Sequence, residues 1–286
     1  MTYGDLKLRL TQAFPGVSLD LIEGWINDRY KEILAEITWS RMDVMAVLET
    51  TAPYTTGTIA VTAGSRNVTL TGGTWSSLMN GHALRVKEDQ DFYELTVLTN
   101  TTGLLDRNYD GATSTAASYS VSQFVYVLPD DCRLLEDDAF NGPLGQLTRF
   151  THQQIDAFDP LRNMLGVPQV WASYMDANSV PPPMQVELWP WPDRVMSLPF
   201  TYQSAAGDLT AEATLLQVWM QPTALVEGVT SRIKAHLKDY TGAQFHAALA
   251  TSALKTMRGD EAAKLAPGQL GLTSYYVGYR TKRWNR

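Results

Sequence analysis

Apolar residues recur at helical spacing near both ends of the chain, and the period drops to two between Gly57 and about Val127. Ile22, Ile26, Tyr30, Ile33 and Ile37 follow one another at steps of 4, 4, 3 and 4, one apolar face of an amphipathic helix over about 18–38. Ser18 is placed to cap it, and Asp20 favours its positive end. Residues 4–14 carry a shorter helical pattern that Pro15-Gly16 ends. Near the other end, Pro222 opens a second long pattern through Val229, Ile233, Leu237 and Tyr240. Phe245, Leu249, Ala253 and Met257 carry it to about 258, with Gly242 as a bend.

The runs GTIAVTAG, NVTLTGG, HALRVKE, FYELTVLT, GLLDRNY and SYSVSQFVYV are short, β-branched and aromatic, and parted by turn residues. That is the signature of a small antiparallel barrel or sandwich. VLPDDCRLLED (127–137) is expected to return the chain to the helical part, with a helix near 148–158 and a loop at Gly166–Pro168. QVWASY (169–174), MQVELWP (184–190) and SLPFTYQS (197–204) read as a short β-meander with Pro-rich links. The expected fold class is therefore α+β: a helical-bundle core of 1–56 and 128–266, an inserted β-barrel or sandwich at 57–127, and an extended tail at 267–286. Trp75, after Gly72-Gly73, is expected to plug the core of the inserted module.

Charge changes this picture mainly at one place. The 286 residues hold 23 Lys and Arg against 30 Asp and Glu, a net charge of −7, which argues against a general nucleic-acid coat. Tyr275, Tyr276, Tyr279, Arg280, Lys282, Arg283, Trp284 and Arg286 run against that sign, with no acid among the last twelve residues. Aromatics interleaved with Arg are the composition of an interface anchor, so this segment reads as a docking segment, with nucleic-acid contact as the alternative. No run of about 18 apolar residues exists. MTYGDLKLRLTQAF carries charges where a signal peptide needs an apolar centre, so the cytoplasm, or something assembled there, is the expected compartment.

Candidate chemistry is sparse. His82, His152, His236 and His246 show no ligand spacing, so no metal site and no cofactor is expected. Phosphate loops and a nucleophile elbow are absent from the sequence. Cys132 stands among acids that raise a thiol pKa and is not read as a nucleophile. Asp106-Arg107-Asn108-Tyr109-Asp110-Gly111 matches the start of a calcium loop, but its twelfth position is Ala117, and a hairpin turn is the expected role. Acid runs such as Asp130-Asp131 and Glu136-Asp137-Asp138 read as solvated faces, and Trp189-Pro190-Trp191-Pro192 as packing rather than a binding platform. No catalytic residue is assigned, and an enzyme is not expected.

The motifs in order resemble those of bacteriophage head-to-tail adaptors, the neck proteins that dock beneath the portal. IEGWINDRYKEILAEITWSRM (22–42) resembles that family's opening helix. The stretch 57–121, with its Gly-Thr-Trp turn and Leu-Asp-Arg-Asn-Tyr-Asp-Gly turn, is similar to a small domain common in phage structural proteins. VLPDDCRLL, GVPQVWA, ELWPWPD, LPFTYQ and MRGDEAA follow in the family's order. The resemblance covers most of the chain. It implies a structural virion protein forming a ring, usually of 12 copies, between portal and tail, assembled in the host cytoplasm. Its implied partners are the portal, sister subunits, downstream tail or nozzle proteins, and DNA passing through the channel without sequence-specific binding; no membrane is implied. Tyr275–Arg286 would dock on the portal. Ile22, Ile26, Tyr30, Ile33, Val229, Ile233, Leu237 and Tyr240 would serve packing in the bundle and between subunits. Another neck or tail-tube component, such as a gatekeeper, is the nearest alternative, and a carbohydrate-binding or hydrolytic module the more distant one.

Overall fold

The computed structural model describes residues 1–36, 39–87, 91–175, 183–212, 214 and 220–265, which divide into two compact units. One unit comprises Met1–Met42 and the chain from Ala205 onward; the other is Asp43–Ser204. The α-helices in chain order are α1 (Tyr3–Ala13), α2 (Leu19–Glu36), α3 (His152–Phe158), α4 (Pro222–His236) and α5 (Tyr240–Leu265).

In the first unit, Thr2 and Asp5 form a reciprocal capping box that starts α1. The apolar face of α2 (Ile22, Ile26, Tyr30, Ile33) packs with Leu225, Val229 and Ile233 of α4 and with Leu254 and Met257 of α5. Each large aliphatic side chain removed from water there contributes roughly 1.5–3 kcal/mol. Trp39 closes this core, its indole N–H donating to the Ile33 carbonyl at 3.0 Å. The single long helix expected over 222–258 is two helices. Lys238 takes a left-handed conformation (φ 62°) after α4, and the Asp239 carboxylate accepts from the Gly242 amide at 3.0 Å to start α5.

The second unit corrects the expected fold class. It is built almost wholly of strands, so the molecule is not a helical-bundle core with a small β insertion. One sheet has seven strands in the order Ser114–Ala117, Thr58–Val61, Asn67–Thr71, Thr102–Leu105, Tyr93–Val97, His82–Val86, Tyr119–Ser122. Its two outer strands are consecutive in the chain, so the sheet curls nearly into a barrel around its own core. A four-stranded sheet runs Asp43–Glu49, Ser197–Ser204, Cys132–Gly142, Gly145–Gln146. Another runs Thr148–Arg149, Val170–Met175, Met184–Trp189, Val125–Val127.

These two four-stranded sheets share one core, in which Phe140, Trp171, Val186, Leu188 and Leu198 are fully buried. The supposed meander is thus part of a packed two-sheet body. The segment expected to lead back to helix is the strand Cys132–Gly142. Its register against Ser197–Ser204 slips between Leu135 and Phe140, which breaks the alternation that would have marked it.

Candidate functional site

A set of titratable groups in the strand-rich unit surrounds Arg162. After α3 the chain turns through Arg162 in a left-handed conformation (φ 52°), and its guanidinium is consumed by three acceptors. Nε donates to Glu187 Oε1 at 2.6 Å, Nη2 to Asp156 at 2.6 Å and Nη1 to the Asp159 carbonyl at 2.7 Å. The other oxygen of Glu187 meets His152 Nδ1 at 3.0 Å. Asp159 accepts from the Asn163 and Met164 amides at 2.9 Å each and from the Trp189 indole at 3.1 Å. Burial opposes its charge, but these donors and Arg162 outweigh burial and hold the Asp159 carboxyl below the usual carboxylate range. Arg85, from the seven-stranded sheet, donates to the Leu161 and Arg162 carbonyls at 2.7 and 3.0 Å. Both oxygens of Glu187 are taken up, so the cluster has the form of a clamp on the turn 159–164 rather than of an acid–base pair. Sequence reasoning missed it; its one signal was Glu187 inside the apolar run Val186-Glu187-Leu188-Trp189.

The second feature is an open sheet margin. Asp43–Glu49 is the outer strand of its sheet, and along it Met45 and Val47 are 81% and 58% exposed. Register places Met45 beside Thr201 and Val47 beside Pro199. Further along the same sheet is a hollow of about 320 Å³ whose lining includes Asp43, Glu136, Asp138, Asn141 and Gln203. Partial burial, reinforced by Asp43, Asp138 and Asp137, pushes the Glu136 carboxyl up. Sequence alone gave these acids as a solvated face and did not connect them to the strand 43–49.

The residues singled out from sequence fall as follows. Trp75 is 2% exposed, edge-on to Tyr119 with 6.1 Å between ring centres. Gly72 takes φ 78° at the turn beside it. Trp191 is buried and stacked on Phe124 at 4.9 Å, and the Trp189 indole is tied to Asp159, so the Trp-Pro pair forms no open platform. In the 106–111 turn, Asp106 accepts from the Glu94 amide, Tyr93 bonds Asp110, and Arg107 lies 4.5 Å over the Tyr93 ring. Among the described residues no group of three His, Cys, Asp or Glu could hold a metal ion. His236 stacks edge-on to Trp25, His246 meets Glu227, and burial pushes His82 down.

Ile22, Ile26, Tyr30, Ile33, Val229 and Ile233 are buried in their own unit's core; Leu237 and Tyr240 are exposed. Tyr275, Tyr276, Tyr279, Arg280, Lys282, Arg283, Trp284 and Arg286 lie outside the described residues.

Burial and the neighbouring Asp131 push the Cys132 thiol up to about 11. The thiolate fraction at pH 8 is then about two orders of magnitude below that of a free cysteine. Alkylation by iodoacetamide at pH 8, followed by mass spectrometry, is expected to be slower than for free cysteine by about that factor, and to accelerate up to about pH 11. Rapid labelling at neutral pH would contradict this placement.

No family model matches the chain, and no curated protein matches it.

Proposed function

We propose that this chain is a structural virion subunit, a ring-forming neck component between the portal and the tail of a bacteriophage. The observation that carries the reading is the open strand Asp43–Glu49 with its outward Met45 and Val47. An outer strand with exposed aliphatic side chains is a template for another protein, and folded chains that keep one use it or cover it. The order of motifs along the chain supports the same reading. So does the chemistry of the Arg162 cluster, whose carboxylates are spent on holding a turn. In this role 275–286 is the docking segment for the portal, and the net negative charge lets DNA phosphates pass without adhering.

The test is co-sedimentation with the portal protein encoded near its gene, comparing the full chain with one ending at Gly271. Full-length binding lost on truncation supports both the neck role and the docking segment. Binding by both keeps the role and removes the segment from it. Failure of both, with a ring formed by the chain alone, points instead to a tail-tube component.

A further inference from the structure

We propose that the margin formed by Asp43–Glu49 receives the segment 275–286 of a second copy of this chain, laid alongside as an added strand. This rests on the reading of 275–286 as a docking segment and names its first partner.

The strand pairs on one side with Ser197–Ser204 and ends its sheet; no second ladder joins it among the described residues. Its outer face presents Met45 and Val47, with Pro199 opposite Val47, as an apolar strip. Acids bound that strip: Glu49 at one end and Asp43 at the other, with the Glu136 and Asp138 hollow beyond Asp43 on the far side of Ser197–Ser204. The occupant this surface fits is extended, aromatic and cationic.

A second copy of the same strand does not meet that description. Antiparallel pairing of Asp43–Glu49 with itself sets Asp43 against Glu49 at both ends, and like charges directly opposite are destabilising. The segment 275–286 does meet it, with three tyrosines, a tryptophan and four cations. Aromatic rings against the Met45 thioether and the aliphatic Val47 are favourable contacts. Arg280, Lys282, Arg283 and Arg286 oppose these carboxylates in sign. Twelve extended residues span roughly 40 Å, more than the strand's seven residues require. The ordinary consequence is self-association that a portal displaces by competing for the segment.

Sedimentation velocity on the full chain across concentration tests this. Association above the monomer is expected, weakening as salt rises. Reversing the exposed acids that flank the strip (Asp43→Lys with Glu49→Lys) is expected to weaken it about tenfold, as is Arg280→Glu with Arg283→Glu; combining all four substitutions is expected to restore it. Benzoylphenylalanine at position 284, in a mixture of isotopically heavy and light chains, is expected to crosslink between copies to the peptide bearing Met45. A monomer at every concentration overturns the proposal. So does association indifferent to both reversals, a quadruple variant no better than either pair, or a crosslink confined to one chain. Portal co-sedimentation of the unaltered protein decides the neck role separately: association without portal binding sinks that role alone, and portal binding without association sinks this inference alone.

Discussion

Arg162→Leu is expected to lower the unfolding free energy of the strand-rich unit by about 3–5 kcal/mol, because it leaves the buried Glu187 carboxylate without its cation. Both partners are almost wholly out of solvent, with side chains 9% and 6% exposed, so water cannot take over the lost contact. The same substitution takes one donor from the Asp159 carbonyl, releases Asp156, and removes one of the ties between turn 159–164 and the strand Met184–Trp189, leaving the Trp189 indole bond to Asp159. Urea unfolding followed by tryptophan fluorescence would measure the loss. The double variant Arg162→Leu with Glu187→Leu is expected to recover a large part of it, since no buried charge is then left alone. A single variant within about 1 kcal/mol of the parent would mean that the pair is not sealed from water.

Trp75→Ala is expected to cost about 3–5 kcal/mol through the cavity it opens in the seven-stranded sheet. The space cannot close easily. Tyr119 already sits against the indole, and the opposite wall is backbone at Gly103, where a Cβ would stand 2.8 Å from Leu95 and 3.3 Å from Trp75. A side chain at Gly103 would press on Leu95, the Thr96 carbonyl and the ring itself, so the glycine keeps this wall close to the indole. Thermal denaturation is expected to show a Tm lower by roughly 6–20 °C, with Trp75→Phe losing less. If the alanine variant melts with the parent, Trp75 is not the plug of this core.

The parts legible in the sequence were those with an uninterrupted period. The apolar spacing of 22–33 gave α2, and the alternation after Gly57 gave the strands and the buried Trp75. Runs 169–174, 184–190 and 197–204 were recognisable as strands. What they build was not, because their partners carry weak patterns. Asp43–Glu49 has only Leu48 deeply buried, and Cys132–Gly142 slips register at its centre. Counting those two as helix-side chain is what made a packed pair of sheets look like a meander in a bundle. The break between α4 and α5 falls at Lys238, a residue with no intrinsic preference for positive φ, so Gly242 drew attention to the wrong place. The Arg162 clamp brings together residues from α3, the following turn and a distant strand, and no linear spacing encodes that.

The strands Asp43–Glu49 and Ser197–Ser204 lie side by side and antiparallel, with Asp43 opposite Gln203. The two ends of the strand-rich unit are therefore neighbours, and everything between them is an excursion that returns to its starting point. The helical unit is written in two separate pieces of sequence, and α2 can meet α4 only after that whole excursion has been made. Until the sheets fold, the loop-closure entropy of all of 43–204 opposes the meeting of those helices; once they fold, the join is short. Only α4 and α5 follow the sheets in the chain, so α2 waits for them through the whole excursion. The excursion is also severable, since a segment with adjacent ends can be lifted out whole or recut at a surface turn without unthreading either half.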